Sequence, residues 1–240
     1  MMKAWHNVTV ETFMELRGLE TIPFDSPFDL ELERLSILTD TDIEELQNLD
    51  LSEFSKLTKE YAWVKSAPAK NFKQEINGFH FKEWYTLGEF IDLNHLFENE
   101  AQNFDKILSI LYRVFKQDEW GNRVFEPLQF DLEQRKHEFK DVIINDCFGG
   151  VVFFVEFRDN FLKVYENLFN PPIESDELEE NELDQEDIKA EEEEKKLSKF
   201  SWERLIFDLS GGDLTKVDQL TDLPIILVFN MLSMKQTYGI

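Results

Sequence analysis

The chain has 240 residues, enough for one large domain or for a domain with a small companion. It carries 50 Asp and Glu against 25 Lys and Arg, and the net charge of −25 repels phosphate, which disfavours nonspecific binding to nucleic acid or to an anionic membrane. An apolar fraction of 42% with 23 Phe supplies a core, while only 9 Gly and 7 Pro argue against a loop-rich all-β fold.

The N-terminal third reads as a run of short helices. Thr9 is placed to cap a helix that shows Val10, Phe13, Met14 and the stem of Arg17 on one face. Phe28, Leu32, Leu35 and Leu38 continue at helical spacing. Thr41 and Glu44 stand at capping-box spacing, where hydroxyl and carboxylate satisfy reciprocal backbone donors. Asp50 repeats the device ahead of Leu51, Phe54, Leu57, Tyr61 and Val64.

The pattern then changes to alternation around Asn77-Gly78. A type I′ turn needs positive φ at both central residues, so this pair predicts a β-hairpin over about residues 72–84. A lone hairpin is marginal in water and must pack on the helices. Thr86 and Glu89 open the next helix with another capping box. Phe104, Ile107, Leu108, Leu111 and Phe115 give the following one a buried face. "DEWGNRVFEPLQF" reads as a loop or a second, weaker hairpin, and Asp131 and Gln134 open a further helix. After Gly149-Gly150, "VVFFVEFRDNFLKVYENLF" is either the central helix of the domain or, at its β-branched start, a strand.

Pro171-Pro172 stops that element. From Glu174 to Glu194 there are thirteen acids and one lysine, about half of the net charge, as expected of a solvated spacer. The expected organisation is a helical domain over 1–172, an acidic linker over 173–197 and a small three-helix module over 198–240. In that module Ser198 or Ser201 caps the first helix, Gly211-Gly212 ends it and Asp213 caps the second. Pro224 starts the third. The fold class is mainly α with one small hairpin.

Catalytic chemistry is hard to find in these residues. His6, His80, His95 and His137 lack the spacing of metal ligands, and Cys147 is expected as a buried structural thiol. "DTDIEE" lacks the glycine and final glutamate of a calcium loop, and "LSGGDLT" lacks the lysine of a phosphate loop. The expected assignment is therefore no catalytic, cofactor or metal site. One cysteine and no apolar leader in "MMKAWHNVTVE" fit a reducing compartment, and no apolar run approaches the roughly twenty residues that cross a bilayer. The last helix is apolar on too many sides to stand alone, so either the rest of the chain or another molecule covers it.

"WYTLGEFIDLNHLFENEAQNFDKILSILYR" (Trp84 to Arg113), "DEWGNRVFEP" (Asp118 to Pro127) and "WERLIFDLSGGDLTKVDQLTDLPIILVFNMLSMK" (Trp202 to Lys235) resemble, in this order, morphogenesis proteins of tailed bacteriophages. Among these, the tail assembly chaperones of long-tailed phages are the best fit. The resemblance implies a non-enzymatic protein of the host cytoplasm that keeps an aggregation-prone partner soluble, such as a tail tape-measure protein. Trp202, Ile206, Phe229, Leu232 and Met234 would form the partner-binding face, unless that face packs inside the same chain. Neither nucleic acid nor membrane is an expected partner, and a homo-oligomer is allowed. The competing readings are a virion component of neck, connector or capsid, and an acidic mimic of DNA that inhibits a host protein.

Overall fold

The computed structural model describes residues 4–126, 132–169 and 201–238. The expected linker over 173–197 and the caps assigned to Asp131 and Ser198 lie outside them. Among the described residues the fold is mainly α with two small antiparallel sheets. It divides into two compact units, Met1–Glu83 with Leu93–Arg158, and Trp84–Asp92 with Asp159–Ile240. These units cut across the expected division into 1–172 and 198–240.

In the first unit, α1 (Val10–Gly18) starts where Thr9 accepts the Thr12 N–H. Its first turn also donates outward, from Val10 to the Val142 carbonyl at 2.8 Å and from Glu11 to that of Lys140 at 3.0 Å. Donors that a helix start leaves unpaired are thereby used to hold a distant segment. α1 buries Val10, Phe13 and Leu16, whereas Met14 is half-buried and Arg17 lies exposed beside Glu20.

α2 (Pro27–Thr39) is capped by Ser26 and buries Leu32, Leu35 and Leu38, with Phe28 exposed against Phe54. It ends at Asp40 in the left-handed region (φ 54°). The chain leaves that turn with the Thr41 N–H donating to Ser36 and its hydroxyl to Thr39. Asp42 therefore takes the N-cap place of α3 (Ile43–Gln47), and the capping box expected of Thr41 and Glu44 does not form. α4 (Leu51–Glu60) does carry its box. Asp50 Oδ1 accepts from Ser52 and Glu53 at 2.8 Å each, and Glu53 accepts the Asp50 N–H at 3.3 Å. α4 ends before Tyr61, which is buried, while Leu51 is left in solvent.

The hairpin forms as expected: β1 (Glu75–Ile76) and β2 (Phe79–Phe81) pair across Asn77 (φ 52°) and Gly78 (φ 82°). A third strand, β3 (Tyr112–Arg113), adds to β2 with His80 opposite Arg113 and Phe81 opposite Tyr112. This corrects the expected helix through Phe115. α6 (Glu100–Leu111) stops at Leu111, because the aromatic and β-branched run Tyr112–Phe115 finds the edge of β2 to pair with. Phe115 instead begins β4 (Phe115–Gln117), which pairs with β5 (Arg123–Phe125) and stacks its ring on Phe125. The second hairpin is thus real.

After α7 (Leu132–Arg135) and a short 3₁₀ turn, α8 (Ile144–Val164) is one helix, and its β-branched start is not a strand. Gly149 and Gly150 lie inside it. A Cβ at 149 would meet the Lys70 carbonyl oxygen at 2.2 Å, and one at 150 would meet the Phe81 ring at 2.9 Å. The glycines admit a crossing chain; they do not break the helix. Phe13, Phe104 and Phe148 meet as a ring cluster in this unit, with Phe13 and Phe104 buried and Phe148 half-buried.

The second unit gathers the start of α5 (Leu87–Phe97), the end of α8, α9 (Glu166–Phe169) and the C-terminal helices. Thr86 and Glu89 form the expected capping box. α10 (Ser201–Ser210) ends on Gly211 (φ 64°) and Gly212 (φ 77°). Asp213 accepts from Thr215 ahead of α11 (Val217–Thr221), and α12 (Ile225–Tyr238) follows Pro224. Backbone bonds from Leu87 to Leu223 (2.9 Å) and from Ile225 to Tyr85 (3.1 Å) join the two ends of the unit.

Candidate functional site

α12 reads "IILVFNMLSMKQTY", fourteen residues with one lysine and no acid in a chain where acids outnumber bases two to one. Its inner face is Ile225, Val228 and Phe229, at spacing i, i+3, i+4, and all three are buried. Phe229 lies 4.8 Å from the Phe161 ring and 5.3 Å from that of Tyr165, with Trp202 at 6.3 Å. Trp202 in turn meets Phe90 edge-on at 5.6 Å. Two polar bonds fix the rotation of the helix: the Tyr165 hydroxyl donates to Asn230 Oδ1 at 2.7 Å, and the Gln236 amide donates to the Asn167 carbonyl at 3.2 Å.

With that rotation set, the opposite face carries Leu227, Met231, Met234 and Tyr238, four positions at spacing 4, 3 and 4 that form one stripe. They are 47%, 62%, 55% and 70% exposed, and Ile226 beside them is 49% exposed. The stripe and its neighbour expose on the order of 500 Å², near the upper end of what a monomer leaves bare. Two sulfur-bearing side chains and a tyrosine make it adaptable in shape. The described residues of this unit bring nine carboxylates against four cations, so an apolar strip lies on an acidic unit.

The five residues expected to bind a partner do not share this face. Phe229 is fully buried in the unit, and Trp202, Ile206 and Leu232 are half-buried; Met234 alone is exposed. Leu227, Met231 and Tyr238, which share the exposed face with Met234, are not among those five. Their spacing was readable, but nothing local says which side of an all-apolar helix turns inward.

Elsewhere the reactive groups are scattered or spent on structure. His6 and His137 lie in separate 3₁₀ turns, His95 on α5, and His80 on β2 with its Nδ1 3.8 Å from Glu75. Among the described residues no cluster of His, Cys, Asp or Glu is arranged to hold a metal ion. Cys147 is fully buried, and burial pushes its thiol far above the usual range, with Asp146 adding to the effect. Its Sγ lies 3.5 Å from the Ile144 carbonyl, a structural thiol as expected.

Glu133 accepts from Lys106 and Lys136, which hold its carboxyl down at about 2. Asp105, buried on α6, is raised by desolvation, against which the Lys106 N–H and then nearby lysines act. The Lys106–Glu133 pair fastens α6 to α7. Among the described residues no helix is long and apolar enough to cross a membrane. Comparison with family models, with curated proteins and with solved structures finds no match.

Proposed function

We propose that the chain is a non-catalytic assembly protein that holds an aggregation-prone polypeptide in solution, with the Leu227–Met231–Met234–Tyr238 stripe of α12 as its client-binding face. The observation that carries this reading is the stripe itself, an exposed apolar row on a helix already anchored by its other side. An amphipathic helix of the client, with apolar residues at the same spacing and cations at its margins, is the occupant that fits. The margins follow from charge: the described residues of the unit carry nine carboxylates against four cations, so a basic flank is attracted and an acidic one repelled. The resemblance to tail assembly chaperones names the client class as a tape-measure protein, long, helical and apolar, in the host cytoplasm.

The size of the face suits transient holding. About 500 Å² at roughly 25 cal/mol per Å² is a gross gain of order 10 kcal/mol, much of which association entropy offsets, leaving weak and reversible binding. The surplus negative charge of the chain keeps such complexes apart from one another.

The test is a dilution assay. A phage tape-measure protein is diluted from denaturant with and without the chain, and light scattering is followed. Near-stoichiometric suppression by the native chain, lost in Met231→Glu/Met234→Glu, is the expected result. Equal scattering with and without the chain, or full suppression by the double variant, overturns the assignment.

A further inference from the structure

The stripe on α12 is symmetric about its own midpoint. Leu227, Met231, Met234 and Tyr238 are spaced 4, 3 and 4, so the row reads the same from either end. A second copy of α12 can lie antiparallel across it, on a two-fold axis level with the peptide between Leu232 and Ser233. Leu227 then stands opposite Tyr238 of that copy, and Met231 opposite Met234. The two-fold repeats both pairs, which gives four apolar layers. Steps of three and four are those of a coiled-coil seam. Thioethers meet at its centre, where their flexibility lets the two helices close on one another.

Three further features favour a second copy as the occupant. α12 carries no acid, so two of these helices meet without opposing carboxylates, although each chain has a net charge of −25. The helix is already formed, and Phe229, Asn230 and Gln236 hold its rotation, so pairing orders little that is not ordered before. Two rows of about 500 Å² bring about 1,000 Å² to the contact. That is the lower limit for a specific interface, and it suits a dimer that comes apart readily.

We propose that the stripe rests against the same stripe of a second copy, in an antiparallel two-fold dimer, and that this pairing withholds it until a client competes. The inference rests on the reading of the stripe as the client-binding face, and adds how that face is kept from water between clients. The contact is isologous, with the same patch used on both copies, so it closes at the dimer and leaves no stripe to recruit a third. Client and second copy exclude each other, so the apparent affinity for client falls as the dimer fills.

Sedimentation velocity of the full chain, over roughly 1 to 200 µM, tests the pairing. A monomer–dimer equilibrium with nothing larger is expected. Raising salt from about 0.05 to 0.5 M strengthens it, because screening relieves the repulsion of two acidic chains and leaves an apolar seam intact. Met231→Glu/Met234→Glu weakens it about tenfold or more. Introduced cysteines test the register, since the native Cys147 is buried. Under mild oxidation Leu227→Cys/Tyr238→Cys forms a covalent dimer, whereas Leu227→Cys and Tyr238→Cys alone do not. In the antiparallel seam the two copies of position 227 stand about 16 Å apart along the axis, beyond the reach of a disulfide. Circular dichroism confirms that the variants fold. The locked dimer then tests the withholding in the tape-measure dilution assay, where it suppresses scattering about tenfold less than the same chain reduced. A native chain that is monomeric throughout, association untouched by the glutamate pair, or Leu227→Cys linking to itself overturns the pairing. A locked dimer that suppresses as well as its reduced form overturns the withholding. A native chain that dimerises in this register yet never suppresses scattering supports the pairing, and overturns the client reading and the withholding with it.

Discussion

Gly149→Ala and Gly18→Ala are the same chemical change with opposite expected signs. Both glycines lie in helices, where alanine is preferred by about 1 kcal/mol. At Gly18, with φ −58°, a Cβ meets nothing within 4 Å, so the substitution is expected to stabilise by about 0.5–1 kcal/mol. At Gly149 the Cβ would lie 2.2 Å from the Lys70 carbonyl oxygen and 2.6 Å from that of Asn71. Both are backbone atoms, so no rotamer relieves the clash, and the crossing segment must retreat by roughly 1 Å to reach an ordinary carbon–oxygen contact. That retreat strains the bonds that dock the segment. They run from Gly149 to Asn71 (3.1 Å), from Lys73 to the Asp146 carbonyl (2.8 Å) and from Ala69 to Asn145 Oδ1 (3.2 Å).

Overpacking at about 1–3 kcal/mol and one or two weakened hydrogen bonds at about 1 kcal/mol each outweigh the propensity gain. The net expectation for Gly149→Ala is a loss of about 2–4 kcal/mol. Urea denaturation at constant temperature, followed by far-ultraviolet circular dichroism, reads both variants as shifts of the midpoint. Equal or greater stability for Gly149→Ala, or a shift of both variants in one direction, would refute the close crossing of α8.

The two faces of α12 should respond differently. Phe229→Ala removes a fully buried ring and is expected to cost about 3–5 kcal/mol, whereas Met231→Ala changes stability by less than about 0.5 kcal/mol in the same urea titrations. Asp105 has a raised folded-state pKa, so between its usual value of 3.8 and that raised value the native state binds more protons and stability falls as pH rises. Asp105→Asn should therefore gain on the native chain as pH climbs through that window and hold the gain above it; a constant difference across pH would contradict this. Glu133 has the opposite sign, since the folded state holds it at about 2. Its lysine pairs support stability above the usual carboxyl range and are lost as acid approaches that value, so Glu133→Gln should flatten the acid limb of the melt. Cys147 should resist a thiol reagent in the native protein and react at the rate of unfolding.

Several elements could be read from residues alone because their causes are local. The Asp50–Glu53 and Thr86–Glu89 boxes satisfy backbone donors three residues away, and Asn77-Gly78 supplies both positive φ angles within the turn it makes. Thr41 and Glu44 have the same spacing, yet Thr41 is drawn back to the end of α2 and Asp42 takes its place. The helix expected through Phe115 lost its last turn to an edge of β2, where Phe81 pairs with Tyr112 and His80 with Arg113, far back in the chain. Gly149-Gly150 looked like punctuation before a helix and proved to be its point of closest contact.

The sequence by itself determined a mainly helical chain, its acidity, the hairpin at Asn77-Gly78 and most helix starts, since each follows from composition or from neighbours within one turn. Only the tertiary structure decided which side of α12 faces water. Ile225, Val228 and Phe229 and the stripe from Leu227 to Tyr238 are equally apolar on paper. Phe161, Tyr165 and Trp202, brought together from distant parts of the chain, gave one side somewhere to be buried.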